Sequence, residues 1–92
     1  MRLDLYLKAS RLVTRRSVAK DLCEAGRIKV NGLAARASKE VKTGDAIELL
    51  RGTRVTTVRI LSIPSTKQMS RDQAASLYEI VDEARLSDDP LY

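Results

Sequence analysis

The stretch from Thr14 to Gly32, TRRSVAKDLCEAGRIKVNG, leaves little freedom in how it can fold. Ser17 stands where an N-cap would open a helix, because its hydroxyl can accept from the free N–H groups of the next turn. Val18, Leu22 and Ala25 then recur at helical spacing as an apolar stripe, with Ala19 and Cys23 beside it. Gly26 falls where that helix should stop, since glycine enters the left-handed C′ conformation without a Cβ clash. Ile28-Lys29-Val30 alternates like a half-buried strand, and Asn31-Gly32 is a pair that tolerates the positive φ of a tight hairpin turn.

Three cations, Arg15, Arg16 and Lys20, crowd the start of this helix. A helix N-terminus is already electropositive, so cations there are mildly unfavourable for the helix itself. They make sense if an anion such as phosphate joins them. The alternative is a solvated basic turn, and Arg15 and Arg16 alone do not choose between the two.

Charge along the whole chain speaks to that choice. Residues 1–45 hold eleven Lys/Arg against five Asp/Glu, whereas residues 46–92 hold six against seven. The net +5 of the 92 residues therefore belongs to the first half, which points that half toward a polyanion. A length of 92 residues suits one domain, and a monomer is expected. With no Trp, no Phe and three Tyr, the core must be aliphatic. No apolar run approaches the roughly 20 residues that span a bilayer. The N-terminal segment lacks a signal peptide's apolar stretch, and no basic helix with bulky apolar anchors is present, so no membrane partner is expected. A single cysteine, Cys23, fits a buried free thiol in a reducing cytoplasm.

Before this stretch, Arg2 to Ala9 reads as a first helix with Leu3, Leu7 and Tyr6 on one face. Asp4 falls in its first turn, either complementing the helix dipole or holding an arginine, with Arg2 and Arg16 as candidates. Ser10 to Thr14 connects the two helices, Leu12 and Val13 plugging the core. Arg2, Lys8, Arg11, Arg15 and Arg16 can then share one surface. After the turn, Leu33-Ala34 returns as a strand and Arg36 to Lys42 is irregular. Ala46 to Leu50 and Arg54 to Ile63 alternate as strands, with Val58 and Ile60 expected inside. Ser70 to Gln73 matches a capping box, and Ala74, Leu77, Tyr78, Val81 and Ala84 form a helical stripe. A final helix packed on the domain, then a frayed tail from Leu86, is the expectation.

Catalytic chemistry is thinly provided. There is no histidine, one cysteine cannot build a zinc site, and no phosphate loop or serine nucleophile motif appears. Aromatic stacking platforms are lacking, so recognition should rest on phosphates and the shape of folded RNA. No cofactor is expected.

The ordered set Met1-Arg2-Leu3-Asp4, Leu7, Arg15-Arg16-Ser17, Ala19-Lys20, Gly26-Arg27-Ile28, Val30-Asn31-Gly32, Ser38, Val41-Lys42 and Gly44-Asp45 resembles the S4 RNA-binding domain family over residues 1 to about 50. The resemblance implies an α+β fold, with two N-terminal helices packed on a small twisted antiparallel sheet and RNA held on the helical face. Residues 1–64 would form that domain with a sheet extension, and 65–92 a C-terminal helix and tail on it. The chain further resembles the small stand-alone members, the bacterial ribosome-associated quality-control factors of the heat-shock-15-like group. That implies a non-enzymatic accessory factor on a large ribosomal subunit carrying peptidyl-tRNA. Its partners would be large-subunit ribosomal RNA, the tRNA, and a tailing factor that adds C-terminal alanines to stalled chains. Arg2 and Arg16 match the family's RNA-contacting arginines, and Asp4 its acidic neighbour. The candidate RNA-binding set is Arg2, Asp4, Lys8, Arg11, Arg15, Arg16 and Lys20, with Lys29, Arg36 and Lys39 further out.

Two alternatives stand beside this. One is a heat-shock-type ribosome- and tRNA-binding recycling protein, against which the acidic tail argues. The other is a detached module of an RNA-modification enzyme, for which no catalytic domain remains after residue 50.

Overall fold

A computed structural model describes residues 1–64 and 71–85. Its elements are α1 (Leu3–Ala9), α2 (Arg16–Glu24), β1 (Ile28–Val30), β2 (Leu33–Ala34), β3 (Ala46–Arg51), β4 (Arg54–Ile60), α3 (Arg71–Ala75) and β5 (Tyr78–Arg85). The five strands form one antiparallel sheet in the order β2-β1-β3-β4-β5. Two N-terminal helices on an antiparallel sheet is the α+β architecture that the sequence implied.

The α2–β1–β2 segment folds as its turn residues demand. The Gly26 amide donates to the Cys23 carbonyl at 3.0 Å and the Arg27 amide to the Leu22 carbonyl at 2.9 Å. This crossed pair is a Schellman motif, and it needs the positive φ of 74° that Gly26 supplies. Asn31 and Gly32 both take positive φ, 52° and 86°, the signature of a type I′ turn, and Val30 pairs with Leu33 across it. The turn is braced from β3: the Ala46 amide donates to Asn31 Oδ1 at 3.0 Å, and Asn31 Nδ2 donates to Asp45 Oδ1 at 3.2 Å.

Alternation then decides which side is wet. Ile28, Val30, Ile47, Leu49, Val58 and Ile60 all point to one face and are buried against Leu3, Tyr6, Leu7, Val13, Ala19 and Cys23. The expectation that Val58 and Ile60 face inward holds.

Three expectations are corrected. Helix α2 opens one residue before Ser17, with Arg15 as N-cap and no side-chain cap hydrogen bond. The stripe accordingly rotates: Ala19 and Cys23 are buried, while Val18 and Ala25 are exposed. Strand β4 ends at Ile60 rather than Ile63.

The third correction is the largest. The C-terminal helix is only the short α3, and Tyr78–Arg85 is a strand paired along β4. Tyr78, Val81 and Ala84 fit helical spacing equally well, but β4 offers a row of backbone donors and acceptors that a helix would leave unused. Tyr78 and the β-branched pair Ile80-Val81 suit a strand once that edge is available. Ser70, the expected cap, and the tail from Leu86 lie outside the described residues.

One buried bond ties the ends together. The Tyr6 hydroxyl donates to the Leu77 carbonyl at 2.8 Å, and that carbonyl also accepts from the Leu61 and Ser62 amides at 2.8 and 3.2 Å. Because the carbonyl keeps other donors, Tyr6→Phe should cost only about 0.5–1 kcal/mol in urea unfolding, the low end for a buried hydrogen bond. Gly32→Val forces a branched side chain into the left-handed region at roughly 1–2 kcal/mol. It should therefore lower Tm more than Lys20→Glu does on the exposed face of α2; equal melting temperatures would contradict the turn assignment.

Candidate nucleic-acid interface

Helix α1 has no side-chain cap. Its first donors go instead to an irregular loop far along the chain: the Leu3 amide to the Lys39 carbonyl at 2.7 Å, and the Asp4 amide to the Ala37 carbonyl at 3.1 Å. The Val41 amide returns a bond to the Met1 carbonyl at 3.0 Å, and Arg2 forms an isolated bridge with Glu40. Residues 37–41 are thereby strapped to Met1–Asp4, which places Arg2 and Arg36 on the same side of the molecule.

Asp4 sits at the centre of this arrangement and is completely buried. Its Oδ1 accepts from Arg2 Nε at 3.2 Å and from the Leu5 amide at 2.9 Å. Its Oδ2 accepts from Arg16 Nε at 2.9 Å, with a longer contact to Arg2 Nη2 at 3.5 Å. The sequence left Arg2 or Arg16 as candidate partners, and the carboxylate holds both. Burial by itself pushes the Asp4 carboxyl up. The hydrogen bond and charge of Arg16, the charge of Arg2 and the Leu5 amide outweigh it and hold the group below its ordinary value.

What this leaves facing outward is the useful part. Arg16 is bound through Nε alone, so its two terminal nitrogens carry no hydrogen bond among the described residues, and its side chain is 42% exposed. Arg2 is 41% exposed. Both guanidinium groups are thus held by Asp4 while part of each still faces solvent, and the Arg16 fork is open at its tip, the geometry that suits phosphate oxygens.

A groove of about 670 Å³ opens beside them, lined by Arg2, Lys20, Cys23, Glu24, Arg36, Ala37 and Ser38. Three cations face one acid in it. A second hollow of about 300 Å³ shares Arg36 and Ser38 and continues past Lys39 and Leu33. The Cys23 thiol at the groove is pushed up to about 11 by burial, then by the charges of Asp4 and Glu24, so it stays protonated at neutral pH and is no nucleophile.

The expected site residues divide three ways. Arg2, Asp4, Arg16, Lys20, Arg36 and Lys39 gather at the clamp and its grooves. Lys8, Arg11 and Arg15 are exposed at the α1–α2 corner and do not line the main groove. Lys29 lies between buried Ile28 and Val30, so it projects from the opposite face of the sheet. There it sits opposite Glu48, away from the helices. Ala37 and Ser38 were missed as lining residues because an irregular loop has no periodicity to read.

Residues 1–47 match the S4 domain. The chain belongs to that family. It is 41% identical to the RQC P-site tRNA stabilizing factor of Streptococcus pneumoniae, over 96% of this chain and 98% of that protein. The factor of the same name from Halalkalibacterium halodurans is 44% identical over 95% and 97% of the two chains. Among solved structures, the trimeric heat shock protein 15 of Vibrio cholerae superposes with a TM-score of 0.80 at 33% identity, covering 88% of this chain and 81% of that one. The likeness to the stabilizing factors runs well past the S4 match, through β4 and β5.

A depressed carboxyl contributes stability that is present above its unfolded pKa and lost as pH falls through its folded value. Stability of the wild type should therefore fall with acid below about pH 4, and the Asp4→Asn curve should be flatter there. At neutral pH the variant should be weaker by about 1–2 kcal/mol, because half-exposed arginines can regain water when the carboxylate is gone. Parallel curves for the two proteins in pH-dependent urea unfolding would show that Asp4 is not the titrating brace.

Proposed function

We propose that this chain is a non-enzymatic RNA-binding factor that holds tRNA in the P-site of the large ribosomal subunit during ribosome quality control. The observation that carries this is the clamp: a buried carboxylate orienting two arginine forks beside a groove rimmed by Lys20 and Arg36. Such a surface recognises phosphate by position and charge rather than by base identity. The names of the full-length relatives support the ribosomal setting, and that setting is cytoplasmic. The groove's one acid, Glu24, is outnumbered by three cations, and its thiol is held protonated, which supports binding rather than chemistry.

The finer role extends this. By holding a peptidyl-tRNA and touching large-subunit ribosomal RNA, the factor supports a partner that adds alanines to the C-terminus of stalled chains. The structural likeness to a heat shock protein favours a second reading, ribosome recycling without tailing. Alanine-tail synthesis on stalled complexes, with and without the chain, separates the two: the first reading requires tails to depend on it.

Phosphate contact has a measurable signature. With roughly four to six Lys or Arg on phosphate, a fourfold rise in salt should cost on the order of a hundredfold in affinity for ribosomal subunits. Lys20→Gln or Arg36→Gln should shallow the log–log slope by about one contact. Lys29→Gln, on the far face, should leave it unchanged. Reversal of Arg16 is a poorer probe, since it sets a second carboxylate against buried Asp4. A flat salt response in co-sedimentation, or equal effects at Lys20 and Lys29, would overturn the phosphate-gripping face.

A further inference from the structure

Strand β5 lies at the edge of the sheet opposite to β2, and so opposite to the loop that carries Arg36. Among the described residues no strand pairs on its outer side. Its chemistry differs from the rest of the chain. Glu79, Asp82 and Glu83 outnumber Arg85, in a protein whose net charge is +5. Glu79 is 3.5 Å from Arg59, but Asp82 and Glu83 make no ion pair among the described residues. Two large apolar side chains stand between these acids: Ile80 is 54% and Val81 43% exposed.

We infer that β5 is a docking edge for a basic, extended protein segment that adds to the sheet as a further antiparallel or parallel strand. An edge strand offers a row of backbone donors and acceptors that a partner strand can pair with, while alternate side chains set the choice of partner. Charge decides which partner. The acids repel RNA, so this edge is not an extension of the groove. They also repel a second copy of β5, since each copy would bring Glu79, Asp82 and Glu83 to the other. A segment alternating Lys or Arg with aliphatic residues sets its cations beside Glu79 and Asp82 on one face and its aliphatic side chains beside Ile80 on the other. The molecule is then two-sided, with phosphate on the helical side and a basic protein strand at the far edge of the sheet.

Register supports a selective edge rather than a sticky one. Thr57 pairs with Asp82 and Val58 with Ile80, leaving Val81 as the extra residue of a bulge. Bulges and charges are what sheets use to keep an edge from pairing indiscriminately. The competing account is that β5 is only protected, and never paired.

The test uses the whole chain and a short synthetic peptide alternating valine and lysine. Amide hydrogen exchange followed by NMR should show β5 amides slowed about tenfold at peptide concentrations near ten times Kd. The effect should be lost in the Asp82→Lys, Glu83→Lys double variant and with the same peptide N-methylated at alternate residues. N-methylation leaves charge and the protein untouched, so it tests strand pairing even if the double variant is poorly folded. Equal binding by the N-methylated peptide would reduce the contact to ion pairing and overturn the inference. So would absence of β5 protection, or concentration-dependent dimerisation through β5 in sedimentation equilibrium.

Discussion

The buried carboxylate of Asp4 is the constraint on which the binding face depends. A fully buried acid is costly unless its lone pairs are taken up, and here they are taken up by two arginines and a backbone amide. Asp4 lies in α1, Arg2 just before it and Arg16 in α2, so the same interaction that makes the charge tolerable also fixes α2 against α1. Each guanidinium loses rotational freedom when the protein folds, not when a ligand arrives. That shifts the entropic cost from binding to folding, which is the physical meaning of preorganisation.

The clamp in turn rests on the loop at residues 37–41. Carbonyls of Ala37 and Lys39 accept the first donors of α1, so the loop performs the capping that a Ser or Asp side chain performs elsewhere. Arg36 is carried to the groove by the same loop. The cationic groups at the start of α1, on α2 and on the loop are therefore mechanically one unit, whereas Lys29, close in sequence to Arg27 and Gly32, stands on the other face of the sheet.

Much of this was legible in the residues, for identifiable reasons. Gly26 and Asn31-Gly32 are positions where local backbone geometry dictates residue type, so α2, β1 and the turn could be read directly. Asp4 among cations could be read as an ion pair, but two partners satisfied it at once, and a sequence does not say how many neighbours a buried group has. The side taken by Lys29 was available from the alternation of Ile28, Lys29 and Val30. Tyr78–Arg85 was not legible: its apolar spacing suits a helix, and only the open edge of β4 makes it a strand. Ala37 and Lys39 contribute through their carbonyls, which carry no side-chain signature at all.

The bond from Tyr6 to Leu77 has a consequence for how the protein comes into being. The family match ends at residue 47, yet the core that seats α1 also needs Val58, Ile60 and Leu77. Closure joins residues 71 positions apart in sequence. During synthesis the helices and the first hairpin can form early, but their apolar faces stay uncovered until β4 and Leu77 have been made. The helices that carry the arginine clamp are thus seated on a complete core only once the last strand joins the sheet.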